Sequence, residues 1–348
     1  MNAPLLDVIS FGAPMRQMQG LAAQAEAAGF AGFWLTEGGR TAFTGATAAA
    51  LATERITLGT GIAVAFPRSP MVTAEVAWEL ADATGGRFVL GLGTQVRGHI
   101  ERRYSSAFEH PGPRLREYVE ALRAIFRAFR GDEPLKFEGD FYKFSLLPPE
   151  WSPGPIDVPD PPIYLAGVNP WMLRMMGEVA DGVHVHPLHS VRYVDEVVRP
   201  ALREGAQCAG RDEQDIVIVC PVMTIPTDDE AEFVRIREET RLRLAFYGST
   251  PSYGKVFEVH GWPGTTEALY EQQKRRDLEA MRATVTDEML DVFSVTASWD
   301  GMADALLDRY NGIADRVICY SATQQWSNPA MAERWAAVAA RAVSRARP

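Results

Sequence analysis

Short apolar runs alternate with alanine-rich amphipathic stretches along the first half of the chain, and this alternation predicts βα units that repeat around a parallel sheet. Eight apolar runs have the length and the residue types of strands. They cover residues 5–11, 32–36, 56–62, 88–93, 163–167, 182–186, 215–222 and 316–321. The clearest helical stretches cover residues 15–28, 43–52, 71–83, 113–129, 170–180 and 191–208.

The number of units decides between two α/β architectures. A doubly wound sheet that binds a dinucleotide carries a glycine-rich turn directly after its first strand, whereas this chain has Gly12-Ala13-Pro14 there. Eight βα units match a (β/α)8 TIM barrel. The sequence therefore predicts a single TIM-barrel domain over residues 1–348.

Two segments interrupt the repeat. Residues 131–162 hold a predicted hairpin around Glu138-Gly139-Asp140 and then a proline-rich extended stretch. Residues 228–292 form a longer insertion that is mostly helical in pattern. Because insertions in TIM barrels usually lie above the C-terminal face, we expect both segments to roof the active site there.

Composition and charge narrow the class of protein. Hydrophobic residues make up 47% of the chain and charged residues 23%, which excludes a disordered protein. The formal net charge of -10 disfavours nucleic-acid binding, because proteins that bind nucleic acid are normally basic. Residues 1–14 do not have the pattern of a signal peptide, and the apolar stretch 216–226 is too short to span a membrane. The three cysteines are far apart in the sequence, which argues against a disulfide framework. We therefore expect a cytoplasmic protein, and from the short apolar stretch one that contacts no membrane.

Three neighbouring predicted strands end in glycine-rich sequence. Gly59 and Gly61 end the third strand, Gly91 and Gly93 end the fourth, and Gly167 ends the fifth. Glycine weakens a strand, so its repeated use at the functional end indicates that a flat ligand, such as a planar ring system, approaches the backbone closely. The alternative is that these glycines relieve crowding inside the barrel.

The fifth predicted strand leads directly into a predicted helix. Asn169 is suited to the N-cap position and Pro170 to the first helical position. The free backbone N–H groups and the positive dipole end at such a helix start can bind a phosphate. The alternative is an ordinary capped helix without a ligand.

Polar side chains follow the second and the fourth predicted strands. Glu37 lies where barrel enzymes place catalytic groups, although a solvated loop carboxylate is the simpler interpretation. Gln95, Arg97 and His99 follow the fourth strand. They could hold an anionic ligand, or they could belong to the charged surface.

Three of the six histidines are close together, at His184, His186 and His189. His184 and His186 point to one face of a strand, as metal ligands can. No nearby motif supplies a third ligand, so we predict no metal site and favour neutral imidazoles that line a pocket as donors or as a general acid. The chain also lacks GxSxG, Walker and kinase motifs, which leaves cofactor-borne redox chemistry.

Six short segments, spread along nearly the whole chain, carry a family resemblance. They are Ala25–Phe30, Arg55–Thr60, Gly86–Thr94, Ala180–Val183, Pro251–Tyr253 and His260–Trp262. Together they resemble the bacterial-luciferase-like flavin and deazaflavin oxidoreductases, and within that family the branch that uses the deazaflavin coenzyme F-420.

The resemblance implies a TIM barrel that holds the cofactor ring at the C-terminal ends of the strands, with a cis peptide bond between Gly61 and Ile62 against the ring. It places Glu37 beside the ring and Thr94 and Gln95 along the cofactor pocket. The residues implied to meet the phosphate are Gly167, Val168, Asn169, Trp171 and Met172. The resemblance also implies a homodimer.

The resemblance does not assign the group that transfers a proton. Some relatives have an Asp-His pair after the second strand, with the histidine implicated in hydride chemistry, whereas this chain has Glu37 followed by Gly38. The candidates for the catalytic group are Glu37, His99, His186 and Tyr253, each expected near the barrel mouth.

Four functions are compatible with these expectations. The favoured hypothesis is an oxidoreductase that exchanges a hydride between coenzyme F-420 and a small organic substrate, such as an alcohol or carbonyl compound, an enone or an imine. The first alternative keeps the barrel but uses reduced FMN and oxygen in a two-component monooxygenase. The others are a metal-dependent barrel hydrolase that uses His184 and His186, and a cofactor-binding protein without catalytic activity.

Overall fold

The structure is a computed structural model that describes residues 3–346. Its strands form one parallel sheet and one antiparallel hairpin. The strands are β1 (Leu5–Ser10), β2 (Gly32–Leu35), β3 (Thr57–Thr60), β4 (Ala63–Val64), β5 (Phe88–Gly93), β6 (Phe137–Glu138), β7 (Lys143–Phe144), β8 (Ile163–Ala166), β9 (Gly182–His184), β10 (Val217–Pro226), β11 (Ser294–Ala297) and β12 (Arg316–Cys319).

Eight of these strands close into a barrel. β1 pairs in parallel with β2 on one side and with β12 on the other. Around the circle the order is β1, β2, β3, β5, β8, β9, β10 and β12, and the pairing of β9 with β10 closes the ring. Each barrel strand starts within two residues of its predicted start. The predicted (β/α)8 TIM barrel is therefore confirmed.

Helices surround the barrel. They are α1 (Met15–Ala28), α2 (Ala42–Ala50), α3 (Pro70–Ala83), α4 (Arg97–Arg102), α5 (Pro111–Arg130), α6 (Pro170–Val179), α7 (Val191–Tyr193), α8 (Arg199–Cys208), α9 (Glu230–Gly248), α10 (Gly254–Glu258), α11 (Thr265–Arg275), α12 (Leu278–Thr284), α13 (Asp287–Phe293), α14 (Met302–Tyr310) and α15 (Pro329–Ala346). Within residues 3–346, no helix combines the length and the apolar character that a membrane crossing needs. α5 ends at Gly131, which adopts the left-handed conformation that terminates many helices.

Side chains fill the N-terminal half of the barrel interior. The Asp7 carboxylate is fully buried and accepts hydrogen bonds from the Arg316 guanidinium at 2.7 and 2.9 Å and from the Trp34 indole N–H at 2.8 Å. A buried carboxylate that is paired and hydrogen-bonded in this way avoids the cost of an uncompensated charge. Asp7, Trp34 and Arg316 therefore fill this part of the barrel interior.

The hairpin of β6 and β7 is held on α5 by one carboxylate. Glu117 accepts hydrogen bonds from the backbone N–H groups of Asp140, Phe141 and Tyr142 at 2.9, 2.8 and 2.6 Å. Gly139 is required there, because a Cβ at that position would overlap the Glu117 carboxylate. The hairpin is therefore fixed to the outer helix layer.

The proline-rich stretch after the hairpin lies elsewhere than expected. Trp78 on α3 donates a hydrogen bond to the Gly154 carbonyl at 2.9 Å, and Arg130 donates to the Ile156 carbonyl at 3.0 Å. A helix that joins two parallel strands runs back towards their N-terminal ends, so Arg130 at the end of α5 marks the N-terminal face. The expectation that this stretch roofs the active site was wrong, because its contacts with the outer helices draw it down the outside of the barrel.

The helical segment 228–292 contributes directly to the barrel mouth. β10 runs four residues further than predicted, to Pro226, and residues 223–226 pair in parallel with β11, which the sequence analysis did not predict. α9 to α13 lie between these two strands in the chain. Tyr247 and Tyr253, from this segment, pack against the ring of His186 after β9.

Candidate functional site

The ends of β2, β3 and β5 form one wall of the barrel mouth. The peptide bond between Gly61 and Ile62 is cis, as the resemblance implies. The Ile62 side chain occupies the space next to Gly93, where a Cβ would lie 2.9 Å from its Cδ1 atom. β4 then pairs with β5 beyond this point. Gly61 and Ile62 therefore lie in the wall of the mouth, where the cofactor ring was expected.

Glu37 is bound tightly to this wall. Its side chain is 3% exposed and forms two hydrogen bonds with the Arg68 guanidinium, at 2.7 and 3.0 Å. The carboxylate also accepts hydrogen bonds from the Val64 N–H at 3.2 Å and the Tyr104 hydroxyl at 3.4 Å. The Glu37 N–H donates to the Ile62 carbonyl at 3.2 Å. Both carboxylate oxygens are thus occupied, and the pair of Glu37 and Arg68, here called the clamp, ties the loop after β2 to the segment after β3.

The strand-end glycines make room for the protein's own atoms. A Cβ at Gly59 would overlap the ring of Trp34, and one at Gly91 would overlap a backbone carbonyl of β3. A Cβ at Gly167 would overlap the end of the Met176 side chain. The interpretation that a flat ligand requires these glycines was wrong at these positions, because relief of crowding accounts for them.

The start of α6 is capped as the sequence predicts. The Asn169 side chain accepts a hydrogen bond from the Met172 N–H at 2.9 Å, and Pro170 is the first helical residue. The Leu173 N–H donates to the Asn169 carbonyl at 3.0 Å. Because proline has no N–H, the cap leaves the Trp171 N–H as the donor of the first turn that remains for a ligand.

The other residues near this helix are placed as follows. The Val168 carbonyl accepts a hydrogen bond from the Tyr193 hydroxyl at 2.8 Å. Met172 is buried and packs against Gly167. The ring of Trp171 covers Gly112 at the start of α5 and is 43% exposed, so its side chain lies at the rim rather than in the mouth.

The loop after β5 holds two predicted pocket residues and one predicted catalytic residue. Thr94 and Gln95 are half-buried, and the Thr94 hydroxyl donates to the Gln95 carbonyl at 3.0 Å. The Gln95 side-chain oxygen accepts from the Val96 N–H at 3.0 Å. His99 is exposed on the short helix α4, so the structure separates it from the other candidates.

A cluster of aromatic side chains surrounds His186. The ring centroids of His186 and Tyr253 are 4.3 Å apart, and those of His186 and Tyr247 are 4.9 Å apart. The Tyr247 and Tyr320 hydroxyl oxygens share a hydrogen bond of 2.7 Å. We call His186, Tyr247, Tyr253 and Tyr320 the tyrosine cluster.

The direction of His186 follows from the strand that precedes it. The Val185 N–H donates to the Val219 carbonyl at 2.9 Å, so strand pairing continues one residue beyond β9. His186 therefore points to the same face as His184, one layer nearer the mouth. A Cβ at Gly61 would lie 3.5 Å from the Cε1 atom of His184, so this face of β9 adjoins the wall at Gly61.

His186 and Tyr253 are both neutral proton-bearing groups. The Leu188 N–H donates to Nδ1 of His186 at 3.1 Å, so the neutral ring carries its proton on Nε2. Burial, with a smaller effect from His189, lowers the pKa of His186 to about 3. Burial raises the pKa of Tyr253 to about 12. At neutral pH both groups can donate a hydrogen bond to a ligand oxygen or nitrogen.

His184 and His189 are buried in packed surroundings. The His184 ring packs edge-on against Trp34 with centroids 4.6 Å apart, and burial lowers its pKa to about 3. His189 bridges the His186 carbonyl at 2.8 Å and the Tyr310 hydroxyl at 3.1 Å. Among residues 3–346, no three or more side chains of His, Cys, Asp or Glu come together in a way that could hold a metal ion.

Several residues of the mouth were missed in the sequence analysis: Arg68, Tyr193, Arg243, Tyr247 and Tyr320. Arg68 lies 31 residues after its partner Glu37, so no local spacing reveals the clamp. Tyr247 belongs to the helical segment, whose packing on the barrel has no local signal. Tyr320 carried a usable signal, because it is the next inward position after Ile318 on the last strand.

Comparisons with known proteins agree with this architecture. The luciferase-like monooxygenase family matches residues 5–316. The chain is 44% identical over 305 residues to an uncharacterized protein of Mycobacterium tuberculosis, which covers 87% of this chain and 90% of the relative. It is 31% identical over 301 residues to the 5,10-methylenetetrahydromethanopterin reductase of Archaeoglobus fulgidus, with 83% of each chain covered.

A solved structure has the same fold. The coenzyme F-420 dependent tetrahydromethanopterin reductase of Methanopyrus kandleri superposes with a TM-score of 0.77 at 22% identity, over 99% of both chains. At this identity the structural likeness shows a shared fold only. Membership of the family rests on the family match and on the Archaeoglobus relative. The chain therefore belongs to the luciferase-like monooxygenase family.

Proposed function

We propose that this protein is an oxidoreductase that exchanges a hydride between coenzyme F-420 and a small organic substrate. The 31% identity to the Archaeoglobus reductase and the structural likeness to an F-420 dependent reductase support the choice of coenzyme. The observation that carries the proposal is the neutral pair of His186 and Tyr253, in which His186 follows His184, whose ring adjoins Gly61. In the proposed arrangement these two groups supply the proton that accompanies the hydride.

The residues of the mouth fit a planar ring with a phosphate-bearing tail. Gly61 and Ile62 would support the ring, with Thr94 and Gln95 beside it. The segment Gly167–Met172 would meet the phosphate, for which the Trp171 N–H is available. Because Asn169 and Pro170 use or remove other donors of that turn, we expect this segment to supply part of the phosphate site rather than all of it.

The protein's own part in the reaction is to transfer a proton to or from the substrate. The bound coenzyme would supply or accept a hydride, which carries two electrons. In reduction, Nε2 of His186 or the Tyr253 hydroxyl gives a proton to the substrate oxygen or nitrogen while the adjoining carbon gains the hydride. In oxidation the same group takes the proton back. We expect the tyrosine cluster and the helical segment to keep water from the reacting atoms.

Separate titrations of the apoprotein with coenzyme F-420 and with FMN test the proposal. Quenching of the intrinsic fluorescence of the eight tryptophans reports binding. Micromolar or tighter binding of F-420, with weaker binding of FMN, is expected, followed by oxygen-independent turnover in a screen of carbonyl, alcohol, enone and imine substrates. Preference for FMN together with oxygen consumption would replace the proposal with a two-component monooxygenase. Binding of neither coenzyme would refute both functions.

We also propose a homodimer, which the family resemblance implies. Symmetric dimers are the commonest soluble oligomers. Sedimentation of the purified protein is expected to give twice the chain mass of 38.4 kDa. A monomer mass would overturn this proposal without affecting the choice of coenzyme.

A further inference from the structure

Helix α9 carries four arginines, and one of them differs from the others. Arg235, Arg237 and Arg241 each form ion pairs with carboxylates. The partners are Glu239 for Arg235, Asp287 and Asp291 for Arg237, and Glu238 and Asp287 for Arg241. Arg243 is half-buried and pairs with no carboxylate among residues 3–346. Within the described part of the chain, no carboxylate therefore neutralises its charge.

Arg243 lies beside the tyrosine cluster. Its Nη1 donates a hydrogen bond to the Ser321 hydroxyl at 2.7 Å, and its Cζ atom is 5.9 Å from the centroid of the Tyr320 ring. The Tyr320 hydroxyl in turn contacts that of Tyr247, which is one helical turn after Arg243 on the same face of α9. The guanidinium therefore borders the mouth on the side of β12.

The unused N–H donors of the Arg243 guanidinium indicate the kind of ligand that would bind there. An arginine side chain has five N–H donors, and Ser321 accepts from one of them. A half-buried charge without a counterion is costly, and the neutral Ser321 hydroxyl and the Tyr320 ring compensate it only in part. Because the planar fork of arginine matches the two oxygens of a carboxylate, an anionic ligand with this geometry would satisfy the remaining donors.

The coenzyme is not the source of this anion in the proposed arrangement. Its phosphate is assigned to the segment that follows β8, whereas Ser321 and Tyr320 follow β12. β9 and β10 separate β8 from β12 around the barrel. His186, which follows β9, and Tyr253 lie between these two positions.

We propose that Arg243 binds a carboxylate of the substrate, so that the substrate is an oxo acid or the corresponding hydroxy acid. The carboxylate lies against Arg243 and the Ser321 hydroxyl, and the carbonyl or alcohol oxygen lies at His186 and Tyr253. The identity of the reacting group rests on the proposed function, whereas the anion site rests on the geometry of Arg243. In the reaction the carbonyl carbon gains a hydride from the reduced coenzyme and its oxygen gains a proton, which together give the hydroxy acid.

Calorimetric titration with matched acids and esters tests this site. The probes are pyruvate, levulinate and longer oxo acids, each with its methyl ester, titrated into the apoprotein and into the protein saturated with the coenzyme that it binds. At least one acid is expected to bind about tenfold tighter than its ester, as the loss of a charge-assisted pair implies. Arg243→Met is expected to remove this difference without changing the dissociation constant of F-420.

A control variant on the same helix distinguishes loss of the proposed anion site from the general effect of removing a positive charge. Arg235→Met removes an exposed arginine that pairs with Glu239, and it is expected to keep the preference for the acid. Should Arg243→Met fail to fold, Arg243→Lys takes its place. Lysine keeps the charge but loses the fork, so a smaller loss of acid preference is expected from it.

Three results would overturn the assignment. They are a wild-type protein that does not prefer any acid over its ester, an Arg243 variant that keeps the preference, and an Arg243 variant that loses F-420 binding instead. Calorimetry does not depend on turnover, so failure of this site and failure of the proposed function are distinguishable. An acid preference without F-420 binding would refute the coenzyme alone, and F-420 turnover without an acid preference would refute the anion site alone.

Discussion

Replacement of Glu37 by glutamine tests whether this carboxylate holds the barrel mouth together or moves a proton. The variant keeps the size of the side chain but removes the charge that faces Arg68. Breaking a buried ion pair from one side costs about 3–5 kcal/mol. Because the side chain of Glu37 is 3% exposed but that of Arg68 is 19% exposed, water can partly solvate the remaining charge, and we expect the lower end of that range.

The stability change can be converted into a shift of the melting temperature. With about 2.1 cal/mol/K of unfolding entropy per residue, the chain of 348 residues unfolds with about 0.7 kcal/mol/K. A loss of about 3 kcal/mol then lowers Tm by about 4 °C. Urea unfolding followed by tryptophan fluorescence gives the free energy of unfolding directly, provided that the slope against urea stays unchanged.

The matched control is Glu239→Gln, which removes the same charge from the exposed pair with Arg235. Exposed pairs contribute about 0–1 kcal/mol, so this variant is expected to keep nearly full stability. The reasoning fails if Glu37→Gln is no more destabilising than Glu239→Gln. It also fails if Glu37→Gln removes a limb of the pH profile of kcat, because a residue that only positions the wall lowers kcat without changing the shape of the profile.

Three further outcomes are expected. His186→Asn lowers kcat about 10²- to 10⁴-fold, because it removes the proposed proton donor, while the dissociation constant of F-420 changes little; an unchanged kcat would exclude His186. Burial lowers the pKa of His184 to about 3 and that of His189 to about 4, from the ordinary histidine pKa of 6.5. As pH falls below 6.5, these histidines therefore bind protons in the unfolded chain but not in the native protein. The free energy of unfolding should therefore fall with a slope of up to about 1.4 kcal/mol per pH unit for each histidine between about pH 6 and 4, and equal urea midpoints at about pH 7 and 5 would contradict this. A thiol reagent should label Cys208 alone in the native protein and all three cysteines in denaturant, because the other two are buried; two fast thiols would argue against the packing.

The barrel itself was predictable because its strands are buried on both faces. β1 and β5 read as short apolar runs bounded by polar or glycine-rich sequence, and their starts agree with the prediction. β11 was missed because it spans four residues that include polar Ser294 and Thr296, directly after a helix. Its pairing depends on the extended end of β10, a long-range contact that no local pattern reports.

The candidate residues at the strand ends could be predicted from the sequence, but the residues that contact them could not. His186 was a candidate because it ends a predicted strand, where we expected it near the barrel mouth. Its packing against Tyr247 and Tyr253 depends on how the helical segment folds over the barrel. In the same way, the position of Glu37 was clear, whereas its pairing with Arg68 was not. The chemistry of a side chain can be read from the sequence, but its protonation state and role depend on these distant contacts.

The glycine pattern shows why one sequence signal can have two physical causes. A glycine at a strand end indicates that a Cβ is not tolerated, but it does not say which atoms occupy the space. At Gly59 that space belongs to Trp34, so the barrel strands fill much of the interior with their own side chains. The helical segment adds side chains after the strand ends, where Arg243 and Tyr247 from α9 contact Ser321 and Tyr320. If the barrel strands hold the coenzyme, the helical segment is then the part of the chain that selects the substrate, and variants of α9 should change substrate preference before they change coenzyme affinity.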